Sequence, residues 1–187
     1  MKNGNQRSSF VKLKNNFIVP DYEPLDVQIS YGVNIGGQFK GIQYLNLNSL
    51  LHPQIYFVLP ERCRKDFFMS LMKVNHPIPP HTDSGINSTI NFYIKTENCL
   101  TQFYKFKDKQ PNTYQIDNQT NGFIYQEDDL EKTESFIAKD NEVWLLDVTQ
   151  PHAVKPNNVL SERLAITLGT QYYYQDVCQI LKETGNL

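Results

Sequence analysis

Prolines restrict what their neighbours can become, and the stretch Pro77-Ile-Pro-Pro-His-Thr-Asp83 holds three of them in four residues. Such a run neither continues a helix nor sits in the middle of a hydrogen-bonded ladder, so it reads as an extended segment. Along a strand alternate side chains share a face, so His81 and Asp83 point to one side and bring two metal-capable donors to one place. A third donor is available far downstream in Asp147-Val-Thr-Gln-Pro-His-Ala-Val154, where His152 is the candidate. Two imidazoles and one carboxylate make the facial set that holds non-haem iron(II) and leaves coordination positions open.

A His-x-Asp pair is weak evidence alone. With 4 histidines and 20 acidic residues in 187, about 0.4 such matches arise by chance. The context strengthens it: an extended approach before the pair, a Ser84-Gly85 turn and a strand after it, a histidine just beyond a later strand, and Arg163 eleven residues past His152.

The length predicts one domain, 1–187, able to bury a core without staples. A formal charge of -2 gives no reason to expect nucleic acid or a membrane surface as partner. Cys63, Cys99 and Cys178 lack paired spacing and read as reduced thiols. No stretch reaches the ~18 apolar residues of a membrane span, and the expected location is cytoplasmic.

Residues 1–18 read as a loose N-terminal arm or a first edge segment. Alternation predicts strands from Asp26 to Tyr31, closed by Gly36-Gly37, and from Phe39 to Leu47. Gln54–Leu59 is an apolar run that periodicity cannot assign, Glu61–Asp66 fits a helical turn, and Phe67–Val74 is strand-like. Ser88–Lys95 alternates Thr89, Asn91 and Tyr93 against Ile90, Phe92 and Ile94. Leu100–Phe106, Glu142–Val148, His152–Lys155 and Arg163–Gly169 are further strands, the last with Arg163, Ala165 and Thr167 on one face. Residues 107–141 lose periodicity and read as an insertion or lid, in which Tyr114-Gln-Ile116 and Phe123-Ile-Tyr125 pair across Asn118–Gly122. Val177, Ile180 and Leu181 before Gly185 predict a C-terminal helix over 176–184. Many short strands with few helical patterns predict an all-β core, a double-stranded β-helix (jelly roll) of cupin type with a few flanking helices.

His81-Thr-Asp83, His152 and Arg163 resemble the His-x-Asp...His...Arg pattern of the iron(II)- and 2-oxoglutarate-dependent dioxygenases. Pro79-Pro-His-Thr-Asp-Ser84 with Ile90-Asn-Phe-Tyr93 is similar to the small phage and bacterial members. The resemblance implies that His81, Asp83 and His152 are the metal ligands and that Arg163 grips the distal carboxylate of 2-oxoglutarate. It further implies consumption of O2, decarboxylation of the keto acid to succinate, and C–H oxidation of a small metabolite or a peptide residue. Aspartate at 83 implies hydroxylation rather than halogenation. Ala165 departs from the Arg-x-Ser pairing of some members, and arginine at 163 departs from the lysine of collagen-type prolyl hydroxylases.

A guanidinium suits a carboxylate because it offers two parallel N–H donors. Asn91, Tyr93 and Thr167 are further candidates for keto-acid contacts, with a polar core network as the competing role. Asp147 could orient an imidazole or start a turn. His76 and His52, each before a proline, read as loop histidines. Two other classes fit part of the pattern: a cupin-like isomerase or hydrolase using zinc or manganese in the same ligand set, and a non-catalytic ligand-binding jelly roll. The first has no use for Arg163 as a keto-acid clamp, and the presence of all three candidate ligands argues against the second.

Overall fold

Alternating apolar and polar side chains let a strand cover a core with one face, and here most strands of the two sheets have that pattern. The computed structural model describes residues 8–14, 31–35, 38–46, 53–83, 85–107, 113–115, 123–157 and 162–187. The larger sheet has the order β1 (Phe10–Lys12), β11 (Val143–Asp147), β6 (Ser88–Lys95), β13 (Arg163–Thr170), β4 (Phe67–Val74), β3 (Gln38–Asn46), β2 (Tyr31–Ile35). The smaller has the order β10 (Leu130–Ile137), β7 (Leu100–Phe106), β12 (His152–Lys155), β5 (Ile78–Thr82), β9 (Phe123–Tyr125), β8 (Thr113–Gln115). All pairings are antiparallel. Among the central four strands of each sheet, β11-β6-β13-β4 and β10-β7-β12-β5, the chain switches sheets at every step except from β7 to its neighbour β10, which is the winding of a double-stranded β-helix. The cupin-type jelly roll expected from the sequence is therefore the fold.

Each sheet face has its own cluster. The outer face of the larger sheet carries Met69, Leu71, Ile90, Phe92, Leu145, Ile166 and Leu168, covered by Ile55 of the short helix α1 (Pro53–Tyr56), Leu59 and the helix α2 (Tyr174–Glu183) through Tyr174, Val177 and Leu181. Gly185, at φ 73°, ends α2 by letting the 185 and 186 amides bond back to Lys182 and Leu181, a left-handed turn that glycine adopts without a Cβ penalty. Inside the barrel lie Met72, Val74, Ile78, Tyr93, Phe103, Phe136, Leu146, Val154 and Ala165. Among the described residues no helix is long and apolar enough to cross a membrane.

Residues 8–14 take the second of the two readings expected for the N-terminus, a first edge segment: β1 pairs with β11, Leu13 is buried, and the Phe10 ring packs on Phe136, Phe103 and Trp144 at 4.7, 5.5 and 5.7 Å. One expectation is corrected. The region 107–141 is not all insertion, since β10 is a strand of the barrel paired to β7. Its alternation is masked by a bulge: Thr133 and Glu134 together oppose Phe103, so Leu130 faces outward and Phe136 inward. The Gln102 amide donates to Glu134 O at 2.8 Å and holds the bulge. The β8–β9 pair matches the expected hairpin; its 116–122 connection, like 26–30, 36–37, His52 and the rest of the 1–18 arm, lies outside the described residues.

Candidate metal centre

A proline has no N–H to give a ladder, so two in a row need a place where pairing is interrupted. Pro79 and Pro80 sit in a bulge of β5: His81 pairs with His152 and Ile78 with Val154, so the two prolines share a single opposite residue, Ala153. The bulge turns both Ile78 and His81 into the barrel, three positions apart. Asp83 follows β5, its amide bonded to Val148 O at 3.3 Å, and keeps 24% of its side chain exposed. Donor atoms of His81, Asp83 and His152 lie within 4.8 Å of one another, the one such three-residue cluster among the described residues.

The imidazoles are oriented by their backbones. His81 Nδ1 meets Pro79 O at 2.9 Å and His152 Nδ1 meets Gln150 O at 3.0 Å. A carbonyl only accepts, so each Nδ1 carries the proton and each Nε2 offers its lone pair. His81 Nε2 stands 3.5 Å from Asp83 Oδ1, and the two rings are 4.3 Å apart. Phe103 stacks on His152 at 5.7 Å and limits its rotation. Burial, then the neighbouring His81, pushes the His152 pKa down to about 4, against the opposing pull of Asp83. For Asp83 burial raises the carboxyl, but the His81 contact and then the charge of His152 outweigh it and hold it below the ordinary range. A neutral His152 and an ionised Asp83 at neutral pH suit the binding of a divalent metal.

Arg163 opens β13 at the barrel's other end and is 1% exposed. Nη1 donates to Thr101 Oγ1 at 2.9 Å and Nη2 to Cys99 O at 2.6 Å, while the guanidinium lies 5.3 Å from the centre of the Tyr93 ring. No carboxylate pairs with it among the described residues, and its Nε is the one buried side-chain nitrogen or oxygen there without a partner. Thr101 pairs with Val154, two residues along β12 from His152, so the guanidinium's anchor lies about 7 Å from the level of His81 and His152 at ~3.3 Å per residue.

Between these levels runs a polar row. Thr89 Oγ1 donates to Asn91 Oδ1 at 2.9 Å, Asn91 Nδ2 donates to Tyr93 Oη at 3.3 Å, and Thr167, paired with Asn91, bonds Ser70 O at 3.4 Å. All three of the predicted keto-acid candidates thus face the barrel interior and already take part in a protein network. Asp147 holds the Thr149 hydroxyl at 2.5 Å and the Thr149 amide at 3.2 Å, the turn role. His76 lies in the β4–β5 connection, outside the cluster. Trp144 donates to Glu142 and stacks on Phe136 at 4.2 Å. Thr101 and the Cys99 carbonyl went unread because their role depends on register 62 and 64 residues away. Tyr44, half-buried, is also part of the site: burial, with the Asp83 charge added, raises its phenol and keeps it protonated.

No family model matches the chain, and no curated protein matches it. Among solved structures it is similar to the vicilin from Solanum melongena, with TM-score 0.42 and 10% identity over 77% of this chain; it spans 30% of that chain. A cupin-like protein from Thermotoga maritima gives TM-score 0.36 and 11% identity over 72% of each chain. The non-heme alpha ketoglutarate dependent epimerase SnoN from nogalamycin biosynthesis gives 0.42 and 14% identity, over 68% of this chain and 61% of that one.

Proposed function

We propose that this chain is an iron(II)- and 2-oxoglutarate-dependent oxygenase of the hydroxylase type, acting on a small metabolite or a peptide residue. The observation that carries the reading is Arg163. A buried guanidinium bound to a hydroxyl, a carbonyl and a ring face lacks the anion that such a charge ordinarily requires. Its Nε–H has no partner among the described residues, and a guanidinium edge suits a carboxylate.

His81 and His152 would present Nε2, and Asp83 its carboxylate, to iron; three protein donors leave positions for the keto acid and oxygen. Arg163 would receive the distal carboxylate, with Tyr93, Asn91 and Thr167 along the wall between. With iron(II), 2-oxoglutarate and O2 bound, the chemistry supplied is oxidative decarboxylation coupled to C–H oxidation. The chain contributes orientation of the ligands and exclusion of water by Phe103, Ile78 and Val154, all buried around them.

Anaerobic addition of iron(II) and 2-oxoglutarate to the purified protein should give a weak visible metal-to-ligand band. The band should vanish in Asp83→Ala and His152→Ala and weaken in Arg163→Ala. Folded protein that binds the metal yet shows no band would favour a zinc or manganese isomerase or hydrolase. Oxygen-dependent succinate release then tests turnover.

A further inference from the structure

Large aromatic side chains on the inward face of a barrel strand are normally buried, yet Phe68 on β4 is 47% exposed. Its neighbours on that face, Ser70, Met72 and Val74, are all buried. The outward Phe67, Met69 and Leu71 belong to the other cluster, so alternation assigns Phe68 to the interior side. Phe68 pairs with Gly169, which pairs in turn with Thr89. A Cβ at 169 would stand 2.6 Å from Phe68 Cζ and 2.7 Å from Cε2. The ring tip therefore occupies the space of the missing side chain and rests on bare backbone of β13.

This shelf lies at the end of the barrel where the metal ligands are. β4 runs away from Phe68 and returns as β5, which finishes at Thr82 beside Asp83; Gly169 is the last residue but one of β13, and His152 begins β12. On the larger sheet the levels from the open end inward are Phe68–Gly169–Thr89, then Ser70–Thr167–Asn91, then Met72–Ala165–Tyr93, with Arg163 beyond. A keto acid held by Arg163 takes the inner end. The outer level is left for the substrate whose C–H bond is oxidised, a step that rests on the oxygenase reading.

We infer that Phe68, laid flat by Gly169, is a specificity-determining residue that stacks an uncharged planar ring of that substrate. The other side chains of the two outer levels are hydroxyls and one amide, Ser70, Thr89, Asn91 and Thr167, and carry no charge to pair with an ionic group. A flat apolar face beside neutral hydrogen-bonding groups selects an aromatic or heteroaromatic ring over an aliphatic one of equal size. The ring is either a free metabolite or the side chain of a peptide, and the two share this chemistry.

Ligand-observed NMR titration of the full chain tests it with three probes: indole, the capped tripeptide Gly-Trp-Gly, and cyclohexanol as the aliphatic control. Indole, the tripeptide or both should bind at least about five-fold more tightly than cyclohexanol. That advantage should be lost in Phe68→Ala and also in Gly169→Ala, which lifts the ring tip without removing it. Thermal midpoints of both variants report that they fold. Binding by indole alone assigns a free metabolite, and binding by the tripeptide assigns a peptide. Equal binding by wild type and both variants, or equal binding of cyclohexanol, overturns the inference. The titration needs neither iron nor keto acid: ring binding without the iron–keto-acid band removes the oxygenase reading and leaves the shelf, and the reverse pattern removes the shelf alone.

Discussion

Replacing Arg163 by methionine separates a residue kept for a ligand from one kept for the fold. The substitution removes two charge-assisted hydrogen bonds and leaves Thr101 Oγ1 and Cys99 O without donors, about 1–3 kcal/mol each. It also removes a buried cation that has no anionic partner among the described residues, a burden of several kcal/mol, and the unpaired Nε, about another 1–3 kcal/mol. These terms oppose one another, so ligand-free Arg163→Met should unfold within about 2 kcal/mol of wild type. The ligand-bound comparison should differ sharply. At a hundred times Kd, 2-oxoglutarate with redox-silent manganese stabilises wild type by about 2.7 kcal/mol, a Tm rise of roughly 5–11 °C for a domain of this size. Arg163→Met should keep the rise given by metal alone and lose the keto-acid increment. Differential scanning of both proteins with chelator, with metal, and with metal plus keto acid is the assay. A ligand-free variant destabilised by more than about 4 kcal/mol, beyond the largest imbalance expected of these terms, would make Arg163 a bolt between the sheets. A full keto-acid increment in the variant would refute the clamp directly.

The metal-free protein should lose stability as pH falls from 6.5 towards about 4, because the unfolded chain protonates His152 at its ordinary pKa while the fold holds it neutral. The slope is at most about 1.4 kcal/mol per pH unit and the total about 3 kcal/mol; urea unfolding of wild type and His152→Gln at pH 4.5 and 7 should show a smaller difference for the variant. Asp83, with its folded pKa held low, adds a loss only below its ordinary 3.8. Phe10→Ala should cost about 3 kcal/mol, the lower end of the aromatic-to-alanine range since Phe10 is only half-buried, seen as a lower urea midpoint at unchanged m. An unaltered midpoint would mean that β1 does not belong to the barrel.

The strands that could be read from sequence are those whose side-chain alternation survives: β6, with its polar Thr89, Asn91 and Tyr93 row, and β13, with Arg163, Ala165 and Thr167 inward, their one register shift falling at the strand end between Leu164 and Ala165. Where register slips, the period-two signal fails. In β10 the residue pair 133–134 opposite Phe103 reverses the faces, so Leu130 and Phe136 lie on opposite sides despite even spacing. β1 is three residues long, too short for periodicity, and depends on rings contributed by β7, β10 and β11. The His81–Asp83–His152 cluster was readable because a short motif and one distant histidine make it up. The surroundings of Arg163 were not, since Thr101 and Cys99 reach it only through the closure of one sheet on the other.

The placement of polar groups within the barrel makes a stronger point than the motif. Between β10 and β11 the interior is filled by Phe10, Phe103, Phe136, Trp144 and Leu146. Between β4–β13 and β5–β12 it holds Ser70, Asn91, Thr167, His81, His152 and Arg163, all buried. Apolar residues of similar size would stabilise that half better, because each buried polar group requires a partner merely to avoid a loss. Nearly all have found one within the protein; the guanidinium is bonded through both Nη atoms, but its Nε has no partner and no described carboxylate neutralises its charge. A fold keeps such an arrangement when something else completes it. On the proposed reading the complement is an anion at one end of this half and a cation at the other, and a keto acid chelated to a metal would supply both.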